Sequence, residues 1–68
     1  MEKIAHEYAR TFAGASGRAV IEHLRRITIE RVLGPHATDG ELRALEGARA
    51  LVHQIETLIE RGRNNAKI

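Results

Sequence analysis

Residues 38–62 read TDGELRALEGARALVHQIETLIERG. Leu45, Val52 and Ile59 recur every seven residues, Ala48 and Ile55 repeat that interval, and Leu51 and Leu58 run beside them. Leu42 carries the stripe toward the start of the segment. This spacing lays the apolar side chains along one broad flank of a helix. Thr38 and Glu41 have the S/T-x-x-E form of a capping box, in which the threonine oxygen accepts an orphan amide and the glutamate accepts one from the cap residue. Asp39 suits the positive end of a helix. Gly62 is expected to stop it, because glycine turns left-handed without a Cβ penalty. The predicted helix is about 23 residues, or about 34 Å, in a chain of 68.

Upstream, residues 28–37 (TIERVLGPHA) admit three readings. A helix could continue to Leu33, with Gly34 as cap and Pro35 as stopper, leaving Ile29 and Leu33 for a neighbouring subunit. A continuous helix would otherwise need a second apolar face for Ile29 and Leu33. Alternatively the chain leaves the helix near Thr28, and Ile29, Val32 and Leu33 plug the core from a turn. Each reading reverses the chain at Gly34-Pro35.

Residues 17–27 are predicted to be a second helix, with Ser16 as N-cap. Val20, Leu24 and Ile27 form its apolar face, with Ile21 at the margin. Arg18, Glu22 and Arg26 alternate in charge at i,i+4 spacing, as on a solvated flank. Arg25 and Arg26 could also meet phosphate or an acidic protein patch. Gly14 and Gly17 bracket a turn. A Gly-x-x-Gly loop beside Arg18 could cradle phosphate, but the RNA-binding fold that uses one needs a sheet. Residues 2–13 read as a short helix in which Ile4, Tyr8 and Phe12 share a face with Ala5 and Ala9. So short a helix must pack on something; Tyr8 and Phe12 are core residues or recognition anchors. Residues 63–68 (RNNAKI) read as a short basic flexible tail.

The composition bounds the function. With 68 residues the chain is one domain at most, spanning residues 1–62, and its core is marginal. There is no Cys and no Trp, with one Phe and one Tyr. Leu, Ile, Val and Ala must therefore build the core, and few rings are available to stack on bases. The formal net charge is +2, whereas a domain held to nucleic acid by phosphate contacts would carry a larger basic excess. No apolar run is long enough to span a bilayer, and MEKIAHEYAR lacks the apolar centre of a secretory signal. The expectation is a soluble protein working inside a cell or packed into an assembly made there.

Nothing in the sequence forms a catalytic set. His6, His23, His36 and His53 are scattered, and none has a second histidine at i+3 or i+4 to hold a metal. His23 is the histidine most expected to be part-buried, and His53 the one expected to face water. Ser16 has no adjacent base to activate it. Glu56 and Glu60, four apart, fit a solvated flank or a face for a basic partner. No cofactor is implied. The all-α fold expected is a small three-helix, at most four-helix, domain with a long C-terminal helix. Its stripe of Leu45, Ala48, Val52, Ile55 and Ile59 serves either as a seam between copies or as an internal core. Ala44 and Ala48 would let another helix come close.

The motifs together resemble the Bbp19-like family of small bacteriophage proteins. The first part of the resemblance is Phe12, then Gly17-Arg18-Ala19-Val20 and Leu24-Arg25-Arg26. The second is Glu46-Gly47-Ala48-Arg49-Ala50-Leu51-Val52, followed by Ile55. The similarity spans residues 12–59 and implies a phage-encoded helical protein linked to the head or the structural genes; it implies no established enzyme activity. Its expected partner is a second copy or another phage protein, in the host cytoplasm during assembly or in the virion. The alternative is a small regulator that binds nucleic acid or a host protein. Arg18, Arg25, Arg26 and Arg49 are the candidate anion or partner contacts, joined in the nucleic-acid reading by Arg61 to Lys67. Phe12, Gly17 and Gly47 are expected to be structural. A mid-helix glycine costs about 1 kcal/mol relative to alanine, so Gly47 calls for close approach of another backbone, with the turn at residues 14–17 as the candidate. Arg49 is placed to tie that turn's carbonyls or a partner carboxylate.

Overall fold

The computed structural model describes residues 2–65. They form three α-helices, α1 (Glu2–Thr11), α2 (Ala15–Ile27) and α3 (Asp39–Asn65), and no strand occurs among them. The capping box starts α3 as its sequence form requires. The Thr38 amide donates to Glu41 Oε1 at 2.9 Å, and the Glu41 amide donates to Thr38 Oγ1 at 3.1 Å. α3 then passes through Gly62 without a break. No described glycine has positive φ, so Gly62 is not a cap. It is a contact: a Cβ there would lie 2.7 Å from the Ala5 carbonyl carbon and 2.9 Å from Ala9 Cβ. Three small residues let α1 and α3 approach at short range. Residues 63–65, expected in a tail, belong to α3; Ala66, Lys67 and Ile68 lie outside the described residues.

α1 closes with the Phe12 amide donating to the Tyr8 carbonyl at 3.1 Å. α2 begins one residue before the expected cap. Gly14 is the N-cap, it supplies no side-chain hydrogen bond, and Ser16 lies inside the first turn. A Cβ on Gly17 would sit 2.5 Å from the Thr11 carbonyl oxygen and 2.8 Å from the Phe12 carbonyl carbon. Glycine at this position is what allows the first turn of α2 to fold over the end of α1.

Of the three readings of residues 28–37, the chain follows the one that leaves the helix at Thr28, with a turn at residues 28–30. Thr28 is buried, and its hydroxyl donates to the Leu24 carbonyl at 2.6 Å. This side-chain bond competes with continuation of the helix. Ile29 and Leu33 are half-buried, but Val32 is 89% exposed and plugs nothing.

α2 runs antiparallel to α3. Ile21 borders a shallow cleft with Ile59 and Arg63, Arg25 reaches Glu56, and the Thr28 carbonyl meets Arg49. The buried apolar residues are Ala5, Leu45, Val52, Leu58 and Ile59, and α2 contributes none. The molecule measures 48 × 24 × 12 Å. Two stacked helix layers would need about 13–15 Å between their outermost Cα atoms, given axes 8–10 Å apart and Cα cylinders about 4.6 Å wide, and α1 and α2 each pack on α3 with hardly any contact to each other. The three helices therefore lie in a single layer. Its radius of gyration, 14.3 Å, exceeds the about 11 Å of a compact domain of this length.

Candidate protein-docking face

A single layer has two broad faces and cannot wrap its own apolar side chains. The chain exposes 5219 Å², whereas a folded monomer of 7.6 kDa exposes about 4300 Å². The excess is roughly 900 Å². Among the large apolar side chains, Val20 is 50% exposed and Leu51 58%, and Ile4, Ile27 and Leu42 are also exposed. Val20 and Ile27 occupy one stripe of α2, seven residues apart. Ile27 also lines an open cleft of ≈ 400 Å³ with Leu33, Ala44, Leu45 and Ala48, and Arg31 and Glu41 stand at its margin. Leu51 continues the α3 side of this cleft, one turn beyond Ala48.

The expected seam residues divide between core and surface. Leu45, Val52 and Ile59 are buried within the chain, so they are not open to a second copy; Ala48 and Ile55 are half-buried. The exposed apolar side chains lie to either side of that seam. Periodicity located the stripe but could not say which part of it the chain's own helices cover. Phe12 is half-buried, with its ring centroid 6.5 Å from that of Tyr8 and the two ring planes 19° apart. Gly47 contradicts its expected role, since a Cβ there would meet nothing within 4 Å.

The candidate arginines do not converge. Arg25 Nη1 donates to both carboxylate oxygens of Glu56 at 2.6 Å, and its Nε lies 3.9 Å from Glu30. The hydrogen bond and charge of Glu56 raise the Arg25 pKa above its ordinary value. Arg49 is also committed internally. Its Nε donates to the Thr28 carbonyl at 2.9 Å, its Nη2 to the Arg31 carbonyl, and its Nη1 to Glu46 Oε1 at 2.6 Å. It ties a turn's carbonyls, but the turn follows α2 instead of preceding it. Arg18 and Arg26 remain exposed, with Glu22 between them on the same flank.

Glu56, read as a solvated group or a face for a foreign base, instead serves Arg25. Glu60 lies 3.6 Å from Arg63. His23, expected to be part-buried, is exposed, as are His6, His36 and His53. Among the described residues no group of three or more His, Cys, Asp or Glu could hold a metal ion, and no helix is long and apolar enough to cross a membrane.

A family model described as Bbp19-like phage protein matches residues 8–63. No curated protein and no solved structure matches the chain. The matched span contains the Gly17 turn, the Arg25–Glu56 pair and the Glu46–Arg49 clasp.

Proposed function

The chain belongs to the Bbp19-like family of phage proteins, and on that footing we propose that it is a non-enzymatic structural or adaptor protein of phage assembly. It works by laying its uncovered apolar face on another protein, within the infected cell during assembly or in the particle. The observation that carries this reading is the apolar surface a one-layer fold leaves open, Leu51, Val20 and Ile27 foremost. Large apolar side chains left exposed beside an open cleft support an interaction site on so small a protein. Ala48 and Ile55, half-buried beside it, would complete the contact. The nucleic-acid reading has less support, because Arg25 and Arg49 already have carboxylate and carbonyl partners within the chain.

The test is fractionation of infected cells carrying either the natural chain or Leu51→Glu. The natural chain is expected to sediment with large phage assemblies, and Leu51→Glu to remain in the low-mass fraction with its helicity unchanged. A natural chain found only at low mass throughout infection would sink the proposal.

A further inference from the structure

We propose that α2 is a lever, seated on the end of α1 at Gly17 and latched to α3 by Arg49, that lifts off Leu45 and Val52 while α1 and α3 stay paired. The inference concerns the free chain and does not depend on the docking reading above.

Three observations support it. The first is a contrast in packing. α1 meets α3 at short range through Ala5, Ala9 and Gly62, where one added methyl would collide. α2 stands off. Its C-terminal end is parted from α3 by the open cleft of ≈ 400 Å³, with Ile27, Thr28 and Leu33 on one side and Ala44, Leu45 and Ala48 on the other. A second hollow, of ≈ 180 Å³, lies between Ile21 and the turn of α3 that holds Ile59 and Arg63. Gaps of this kind forfeit the dispersion attraction that close packing supplies, and α2 buries no residue of its own.

The second is the placing of the polar ties. Arg25 holds Glu56, and Arg49 holds the Thr28 and Arg31 carbonyls. Both ties act on the C-terminal half of α2 or just beyond it. The Arg25 and Glu56 side chains are 37% and 27% exposed, so water replaces each partner as the pair separates. At the other end Gly17 is seated against the backbone of Thr11 and Phe12. The fixed seat and the releasable ties are thus at opposite ends of one helix. Residues 28–38 contain no helix and can follow the moving end.

The third is what lies beneath. Arg49, Val52 and Glu56 share one flank of α3. The first and last of them hold α2, so Val52 lies under it. Val52 is 4% exposed, and Leu45 across the cleft from Ile27 is 8% exposed. Leu58, also buried, lies one turn before Gly62, on the flank that α1 covers. Lifting α2 therefore bares Val52 and Leu45 but not Leu58. The state of the latch sets how much apolar surface the chain presents.

The chain has no cysteine, so single thiols can report each flank. Full-length Val52→Cys and Leu58→Cys chains are reacted with a water-soluble aromatic disulfide reagent, with circular dichroism confirming their helicity. The Val52→Cys thiol should react about tenfold faster or more, because a local opening is more frequent than a global one. Adding Arg49→Ala should speed the Val52→Cys reaction a further tenfold or so, as loss of hydrogen bonds to a charged group implies, and leave Leu58→Cys unchanged. Urea should accelerate the Val52→Cys reaction only shallowly, since lifting one helix exposes far less surface than unfolding the chain.

Equal reaction rates at the two positions overturn the proposal. So does an equal acceleration of both by Arg49→Ala. Should Leu58→Cys fail to fold, the urea slope at Val52→Cys decides alone: a slope as steep as that of whole-chain unfolding means that α2 leaves only when everything else does.

Discussion

Arg49 Nε donates to the Thr28 carbonyl at 2.9 Å and joins the middle of α3 to the end of α2. The other arm of the same guanidinium reaches the Arg31 carbonyl, and Glu46 holds the group from one turn back. The Glu46-Gly47-Ala48-Arg49 element is thus a clasp built on one helix. Its acid and base, at i,i+3, are neighbours on the helix surface, and the base has a fork of donors for the Thr28 and Arg31 carbonyls, the first of which also accepts from the Arg31 amide at 3.3 Å.

Arg49→Ala should therefore destabilise the protein by about 1.5–3 kcal/mol, the range for hydrogen bonds to a charged group. Thr28 is buried, so water cannot readily replace the lost donor. Arg49→Lys should recover less than half, because an ammonium lacks the planar fork. Urea denaturation of the three chains checks both values. A loss below about 0.5 kcal/mol, the range of ordinary surface substitutions, would contradict the clasp.

Gly47 and Gly62 lie on the same helix and should respond to alanine in opposite directions. At Gly47 the new methyl enters open space, and the higher helix propensity of alanine should add about 1 kcal/mol. That corresponds to roughly 4–8 °C in Tm for a domain of this size. At Gly62 the methyl would run into the Ala5 carbonyl, and overpacking should cost about 1–3 kcal/mol. Thermal melts at low concentration decide it; matching signs at the two positions would refute the packing described.

These two glycines show where reading the sequence reaches its limit. The seven-residue recurrence from Leu45 to Ile59 places α3, and Thr38 with Glu41 marks its start, because both signals are local. Gly62 looks like a stop by the same local logic, yet its place is set by Ala5 and Ala9, more than fifty positions away. Arg49 stands out in the sequence, but its acceptors are backbone carbonyls, which every residue possesses and no residue type announces. Thr28 was readable as the end of α2 only as one of three choices, since its bond to the Leu24 carbonyl is worth no more locally than the helix it ends. Val32 belongs to an apolar triplet with Ile29 and Leu33, and only the path of the loop separates the exposed member from the half-buried two.

The capping box gives α3 a pH dependence of definite sign. Hydrogen bonds from the Thr38 backbone amide, then its side chain, hold the Glu41 carboxyl below its ordinary value of 4.5, with the charge of Arg31 adding to the shift. A group with a lowered folded-state pKa binds fewer protons folded than unfolded between the two values. Its contribution is therefore fully present well above pH 4.5. It diminishes as the pH falls from there through the lowered value. Glu41→Gln should reduce Tm at pH 7, and the difference from the natural chain should shrink steadily toward pH 2. A difference that stays constant or grows as acid is added would exclude the carboxylate as its source.

α2 should be the first helix to open. It contributes no buried residue, and its ties to α3 are the Arg49 clasp at one end and the 2.6 Å Arg25–Glu56 pair farther back. A segment with few buried contacts opens without global unfolding. Amides in α2 should exchange faster than those around Leu45, Val52 and Ile59 in α3, whose side chains are buried. Arg25→Ala should accelerate exchange selectively in α2. Because the Arg25 side chain is 37% exposed and that of Glu56 27% exposed, high salt should reproduce part of the effect by screening. Hydrogen exchange read by mass spectrometry at several salt concentrations separates the alternatives. If Arg25→Ala instead accelerates all three helices by the same factor, α2 opens only when the whole chain unfolds, and its polar ties are not what holds it in place.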